Sequence, residues 1–83
     1  MLNSASTQYP YSREDLQTLR EYDGDGNLLY EGLARPGAST SAAEWQIRKF
    51  TYNAANKVTS IKFAGSTNEY SKVWDDRAGY TYG

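Results

Sequence analysis

Three groups of residues in this 83-residue chain have the types and spacing to do chemistry. The first is Asp23-Gly24-Asp25-Gly26-Asn27, which supplies the opening ligand positions of a calcium loop, D-x-D-x-N. The pattern then stops. Leu28 stands where such a loop needs glycine for its sharp turn, and Ala34 where it needs a bidentate glutamate. The segment therefore reads as a hairpin turn. The second group is Asp75-Asp76 beside Arg77. Paired carboxylates do general acid–base work only when both face one cleft, and neighbours in a strand point to opposite faces. An ion pair from Arg77 to a neighbouring strand or subunit is the expected use. The third group is aromatic: Trp45 and Trp74 with Tyr22, Tyr30, Tyr52, Tyr80 and Tyr82. Such rings stack on sugars or bases, but a nucleic-acid platform needs a basic groove beside it. Here only Arg48-Lys49 are adjacent positive charges, so packing in the core is the default for both tryptophans.

The inventory is short elsewhere. With no His and no Cys there is no zinc site of the usual ligands, no disulfide and no Ser–His–Asp or Cys–His nucleophile. No glycine pattern makes a phosphate loop. Nine Lys+Arg against ten Asp+Glu leave a formal charge of −1, which argues against binding nucleic acid by excess charge. No apolar run approaches the roughly 20 residues of a membrane span, and the first residues lack the pattern of a signal peptide. The expectation is a chain that is not an enzyme, holds no cofactor or metal, and neither binds nucleic acid nor inserts in a membrane.

The elements that must carry these residues follow from turn chemistry and alternation. Residues 1–14 are polar, hold Tyr9-Pro10-Tyr11, and read as a flexible N-terminal arm. Residues 15–83 read as a single small β domain. Ser12 and Asp15 resemble a capping box, so a helical turn near 13–18 competes with a strand from Leu16 to Asp23; the strand is preferred because a hairpin partner follows. Asp23–Gly26 forms that hairpin's turn, with Gly26 in the left-handed position and Tyr22 opposite Leu28. This sets Tyr22, Leu28 and Tyr30 on one face and Leu19, Leu29 and Leu33 on the other.

A second hairpin turns at Asn53-Ala54-Ala55-Asn56, with Asn56 in the role of Gly26. Its register pairs Tyr52 with Val58 and Ile47 with Phe63. Trp45, Ile47, Ile61 and Phe63 then share a face, and with Trp74 they make the expected core. The two turns lie 30 residues apart, either as a remnant duplication or as one turn chemistry used twice. Ser41 and Glu44 suggest one helical turn at 42–44. The tail reads as a last strand, bulged near Asp75–Gly79, with Trp74, Asp76, Ala78, Tyr80 and Tyr82 on one face. The sum is about five strands, an all-β antiparallel barrel or sandwich.

Composition adds a theme. Aromatics are 14% of the chain and aliphatics are few, so the core must be built largely from rings. A domain this small has little net stability from its own core, and assembly with other chains is a common remedy. Tyrosine, apolar with a polar tip, suits such interfaces.

The residues Pro36, Gly37, Thr40, Ser41, Ala42, Ala43, Trp45, Ile47 and Lys49, followed by Trp74, Asp75, Asp76 and Arg77, form a pattern, PG-x-x-TSAA-x-W-x-I-x-K then VWDDR. It resembles small proteins and modules associated with the virions of tailed bacteriophages. The Tyr22–Asn27 hairpin is similar to that family's opening hairpin; Asn53–Asn56 departs from the Asx-x-x-Gly turn expected there. The likeness spans roughly residues 20–83.

The resemblance implies a structural role in a neck or collar, tail, fibre or accessory capsid. The partners would be other virion proteins, in multiple copies and symmetric assembly. The chain would be made in the host cytoplasm and end in the virion. Contact residues would be Tyr9, Pro10 and Tyr11 of the arm, with Tyr80, Tyr82, Asp75, Asp76 and Arg77. A glycan- or host-protein-binding β module is the alternative.

Overall fold

The computed structural model describes residues 12–83. Tyr9, Pro10 and Tyr11 lie outside the described residues, as does most of the expected arm. The described chain opens with a 3₁₀ turn, Arg13–Asp15, in which the Ser12 hydroxyl donates to Asp15 Oδ2 at 3.0 Å and Asp15 N donates to Ser12 O. Both readings of this region are met in sequence: the turn ends, and strand β1 (Gln17–Tyr22) begins.

Strands β1, β2 (Leu28–Ala34), β3 (Ala43–Tyr52) and β4 (Val58–Phe63) form an antiparallel meander in chain order. The short β5 (Lys72–Val73) pairs with the first residues of β3, in line with β4. The fold is all-β, built on two hairpins, and the sheet is open. Closure would need β1 to reach β4; among the described residues β1 pairs only with β2.

Each hairpin turns on an Asx residue. Asp23 Oδ1 accepts from Asp25 N and Asn27 N, both at 2.9 Å, and Asn53 Oδ1 accepts from Ala55 N and Lys57 N at 2.9 and 3.1 Å. The carboxylate that opened the calcium-like motif is thus spent on backbone amides, as in an Asx turn. Gly26 (φ 84°) and Asn56 (φ 62°) take the left-handed position in the two turns.

Both hairpins also carry a bulge at the same place. The register jumps between Glu21 and Tyr22 in the first and between Thr51 and Tyr52 in the second, leaving Leu29 and Thr59 as extra residues. Tyr22 still faces Leu28 and Tyr52 still faces Val58. Beyond the bulge every pairing moves by one, and a one-residue slip exchanges faces.

This slip corrects the expected core. Arg48, not Ile47, is opposite Phe63, and Phe50 is opposite Ile61. Ile61 is 46% exposed and Phe63 half-buried, both on the sheet face away from Trp45 and Ile47. In the first hairpin Leu19 lies opposite Gly32 and so joins the face of Tyr30, while Leu33 stays on the other.

The main core has Trp45, Ile47, Trp74, Tyr30, Ala34, Ala38 and Ala64 buried together, with Leu19, Leu29, Tyr80 and Tyr82 packed around them. Its lid is not a strand. Residues Trp74–Gly79 form a 3₁₀ helix, and only afterwards does the chain return to the sheet, where Tyr82 bridges Ala64. The loop before β3 is likewise a turn: Ala42 N donates to Ser39 O, and Glu44 pairs with Arg35 instead of capping a helix.

Candidate functional site

The two halves of the pattern that carried the resemblance meet in space. Pro36 and Gly37 (φ 85°) end β2's extension and start a loop that folds back under Trp45. The Trp45 indole N–H donates to Ser39 O at 2.9 Å, which fixes the Thr-Ser-Ala-Ala turn to the ring that follows it. Asp75 N donates to Thr40 O at 3.1 Å, and the Thr40 hydroxyl donates to Asp75 Oδ2 at 3.3 Å. The Trp45 and Trp74 rings lie 5.9 Å apart, tilted by 41°. Thr40, Trp45, Trp74 and Asp75 are thus one joint between the β2–β3 loop and the C-terminal segment.

Gly32 makes room for that joint. A Cβ built on it would lie 2.5 Å from Trp74 Cε3 and 3.1 Å from Trp45 Cε3. Any side chain here would push Trp74 off the sheet. Gly32→Ala is expected to cost about 1–3 kcal/mol, the usual range for overpacking a filled core. Urea denaturation measures it, and an unchanged midpoint would show that Trp74 does not lie on this glycine in solution.

Arg77 closes the stack from the other side. Its guanidinium carbon sits 4.5 Å from the centroid of the Trp74 ring, within cation–π range. Nε donates to Glu21 Oε1 on β1 at 2.7 Å, and an Nη1 N–H donates to Trp74 O at 3.1 Å. The expected ion pair from Arg77 to a neighbouring strand is therefore present within the chain.

The two C-terminal tyrosines complete the fastening. The Tyr82 hydroxyl donates to Arg77 O at 2.7 Å, and the Tyr80 hydroxyl accepts from Val73 N at 2.8 Å. The Tyr82 ring is 5.8 Å from that of Tyr30. Burial, chiefly, with the neighbouring Tyr30 and Tyr80, pushes the Tyr82 phenol well above its ordinary value, so it stays a protonated donor.

Asp75 and Asp76 are exposed and line a shallow hollow with Ala78, Gly79 and Tyr80. Because they sit on a 3₁₀ helix, they are not on opposite faces of a strand; successive residues are about 120° apart. Asp75 is committed to Thr40. The aromatic platform for sugars or bases is not assembled from the tryptophans, since both rings are buried against each other.

On the opposite face the structure shows a charged triad that the sequence reading passed over. Glu31, 7% exposed, accepts from Arg20 Nε at 3.0 Å and pairs with an Nη2 N–H of Arg48. Arg48 also lies over the Phe50 ring at 5.2 Å. The available signal was Glu31 itself, a lone acid inside the apolar run Leu28–Ala34. Burial pushes its carboxyl up, but the two guanidiniums outweigh that and hold it below the usual carboxylate value.

The remaining feature is at the sheet edges. The large hydrophobic side chains exposed among the described residues are Tyr22 (56%), Val58 (49%) and Ile61 (46%). All three lie on β1 or β4, the two edge strands of the meander. The two turns stand side by side at the same end, joined by Asn27 Nδ2 donating to Asn56 Oδ1 at 3.0 Å.

Comparison with protein families, characterised proteins and solved structures finds no match to this chain. No helix among the described residues is long and apolar enough to cross a membrane.

Proposed function

We propose that this chain is a non-enzymatic structural component of a bacteriophage virion, acting through protein–protein assembly in several copies. Its site in the particle would be a neck or collar, tail, fibre or accessory capsid element. The observation that carries the reading is where side chains are spent. The motif residues shared with small phage virion modules, Thr40, Trp45, Trp74, Asp75 and Arg77, fasten the fold internally. What the fold leaves outward, among the described residues, is apolar surface on the outer strands β1 and β4, with the chain's own end covering β4's edge only from Phe63 on. Exposed edges with apolar side chains are surfaces that join other chains, by added strands or by packing.

The test is composition of the particle. Virions of a phage that encodes this chain, purified through a density gradient, are expected to contain it at a fixed copy number that matches a symmetry of the neck, tail or capsid. Quantitative mass spectrometry of intact particles measures this. Absence from particles, with the protein abundant in infected cells, would refute the proposal.

A further inference from the structure

The two hairpins are structural equivalents offset by 30 residues: same Asx acceptor, same left-handed fourth residue, same bulge. Within the chain, the outer edge of the first hairpin (β2) accepts the first strand of the second (β3), with Glu31 opposite Arg48 and Leu33 opposite Gln46. By the same offset, β4 is the equivalent of β2 and β1 the equivalent of β3. We propose that the outer edge of β4 accepts β1 of a second copy of this chain, continuing the meander from molecule to molecule. This rests on the assembly reading above and names its surface.

The backbone parity allows it. Ala64 N donates to Ile47 O, so residue 64 of the β4 strand line faces β3, and Phe63 and Gly65 face outward. They are met there by the chain's own end: Gly83 N donates to Phe63 O, and Gly65 N donates to Thr81 O. Alternation then turns the Ile61 N–H and C=O outward, beyond the reach of that tail. On β1, the matching alternation turns Thr18 and Arg20 outward. The 30-residue offset sets Ile61 opposite Thr18 of the second copy and Lys62 opposite Gln17. Ile61 and Thr18 are both exposed, and they lie on the same face of their sheets, as a shared register demands.

Side chains agree with this register. In the chain, the Tyr52 hydroxyl donates to Leu28 O at 2.7 Å. The equivalent contact runs from Tyr22 of the second copy to Val58 O, which would cover two of the exposed apolar groups at once. Asn27 meets Asn56 within the chain. Its equivalent, Lys57, would meet the second copy's turn at Gly26, next to Asp25. The charges are complementary: residues 57–65 carry Lys57 and Lys62 and no acid, whereas the turn that ends β1 carries Asp23 and Asp25. A β4–β4 pairing would instead bring together two edges that each carry Lys57 and Lys62 and no acid. Such a head-to-tail contact repeats, closing a ring or extending a filament as symmetry dictates.

The chain has no cysteine, so a disulfide trap is clean. Ile61→Cys and Thr18→Cys are made as separate full-length variants, mixed, and oxidised gently. The expected product is the mixed dimer, in large excess over either homodimer. An Ile61→Cys homodimer forming as readily would overturn the proposal in favour of β4–β4 pairing. Sedimentation equilibrium on the unmodified chain separates the two failures. Association without the mixed disulfide overturns only the β4–β1 register, whereas a monomer at all concentrations with no cross-link overturns the assembly reading as well. As a second arm, Lys57→Glu is expected to weaken self-association about tenfold, and adding Asp25→Lys in the same chain to restore it. An unchanged Lys57→Glu, with an intact circular dichroism spectrum, contradicts the register.

Discussion

Trp74→Ala is expected to leave the domain largely unfolded at ambient temperature. Trp74 is the buried side chain of the 3₁₀ helix Trp74–Gly79, resting on Gly32 and Trp45 beneath and under Arg77 above. Truncating a buried tryptophan costs about 3–5 kcal/mol. At about 0.05–0.15 kcal/mol per residue, the whole domain has only about 4–12 kcal/mol to lose. The loss also spreads. Without the ring, Arg77 has no face to cover, and the hydroxyl of Tyr82 loses the carbonyl that Arg77 presents. The segment from Lys72 onward is then held mainly by β5 and the Tyr82–Ala64 bridge. Urea denaturation followed by circular dichroism measures the change. Trp45 fluorescence adds a local readout, because its ring would gain water and shift its emission to the red. Trp74→Phe, which keeps a ring in the slot, is expected to recover part of the loss. A Trp74→Ala variant as stable as the parent would mean that the C-terminal segment is not a lid.

The second large effect concerns Glu31. Breaking a fully buried ion pair costs about 3–5 kcal/mol; with only Glu31 buried, and Arg20 and Arg48 in part solvated, the expected cost is at or below the low end of that range. Here Glu31→Ala would strand Arg20 and Arg48 together. Arg48 already buries Nε with no hydrogen-bond partner among the described residues, so Glu31 is its main compensation. The same pairing makes stability depend on pH with a definite sign. The Glu31 carboxyl is held below its ordinary value of 4.5 in the folded chain. The unfolded chain therefore takes up its proton first on acidification. Stability from this group is complete above about pH 4.5 and is lost as pH falls through the depressed folded value. Glu31→Gln, which keeps the shape and removes the charge, tests this directly. It is expected to be markedly less stable than the parent at pH 7, and the gap is expected to narrow as the pH falls from 4.5 through the depressed folded value, where the parent's carboxyl is also protonated. A gap of constant size across that range would show that the guanidiniums do not set the state of Glu31.

The two effects act on opposite faces of one sheet, and this explains how a chain with so few aliphatics folds. One face is sealed by rings, the other by a charge triad whose arginine lies over Phe50. The resemblance pattern falls almost entirely on the ring side. Its residues therefore report how the lid is fastened, and the surface that meets a partner has to be sought at the edges, on residues outside that pattern.

Much of this was local enough to be legible in the residue order. An Asx residue followed three positions later by Gly26 or Asn56 specifies its turn through its own side chain and a left-handed backbone, so both hairpins and the Tyr22–Leu28 and Tyr52–Val58 pairings follow without tertiary information. The all-β class follows from those hairpins and from alternation. Trp45, Ile47 and Trp74 belong to the core by size alone. The bulges do not follow, because a single extra residue at Leu29 or Thr59 is fixed by pairing with the facing strand and leaves no mark in hydropathy. That one residue moved Ile61 from the core to the surface. The 3₁₀ lid was hidden for a similar reason: Trp74–Gly79 alternates like a strand, and only the slot over Gly32, 42 positions earlier in the chain, bends it into a helix. Short-range hydrogen bonding is written in neighbouring residues; which face a strand presents, and where a tail comes to rest, depend on contacts between residues far apart in sequence, and these exist only once the sheet has formed.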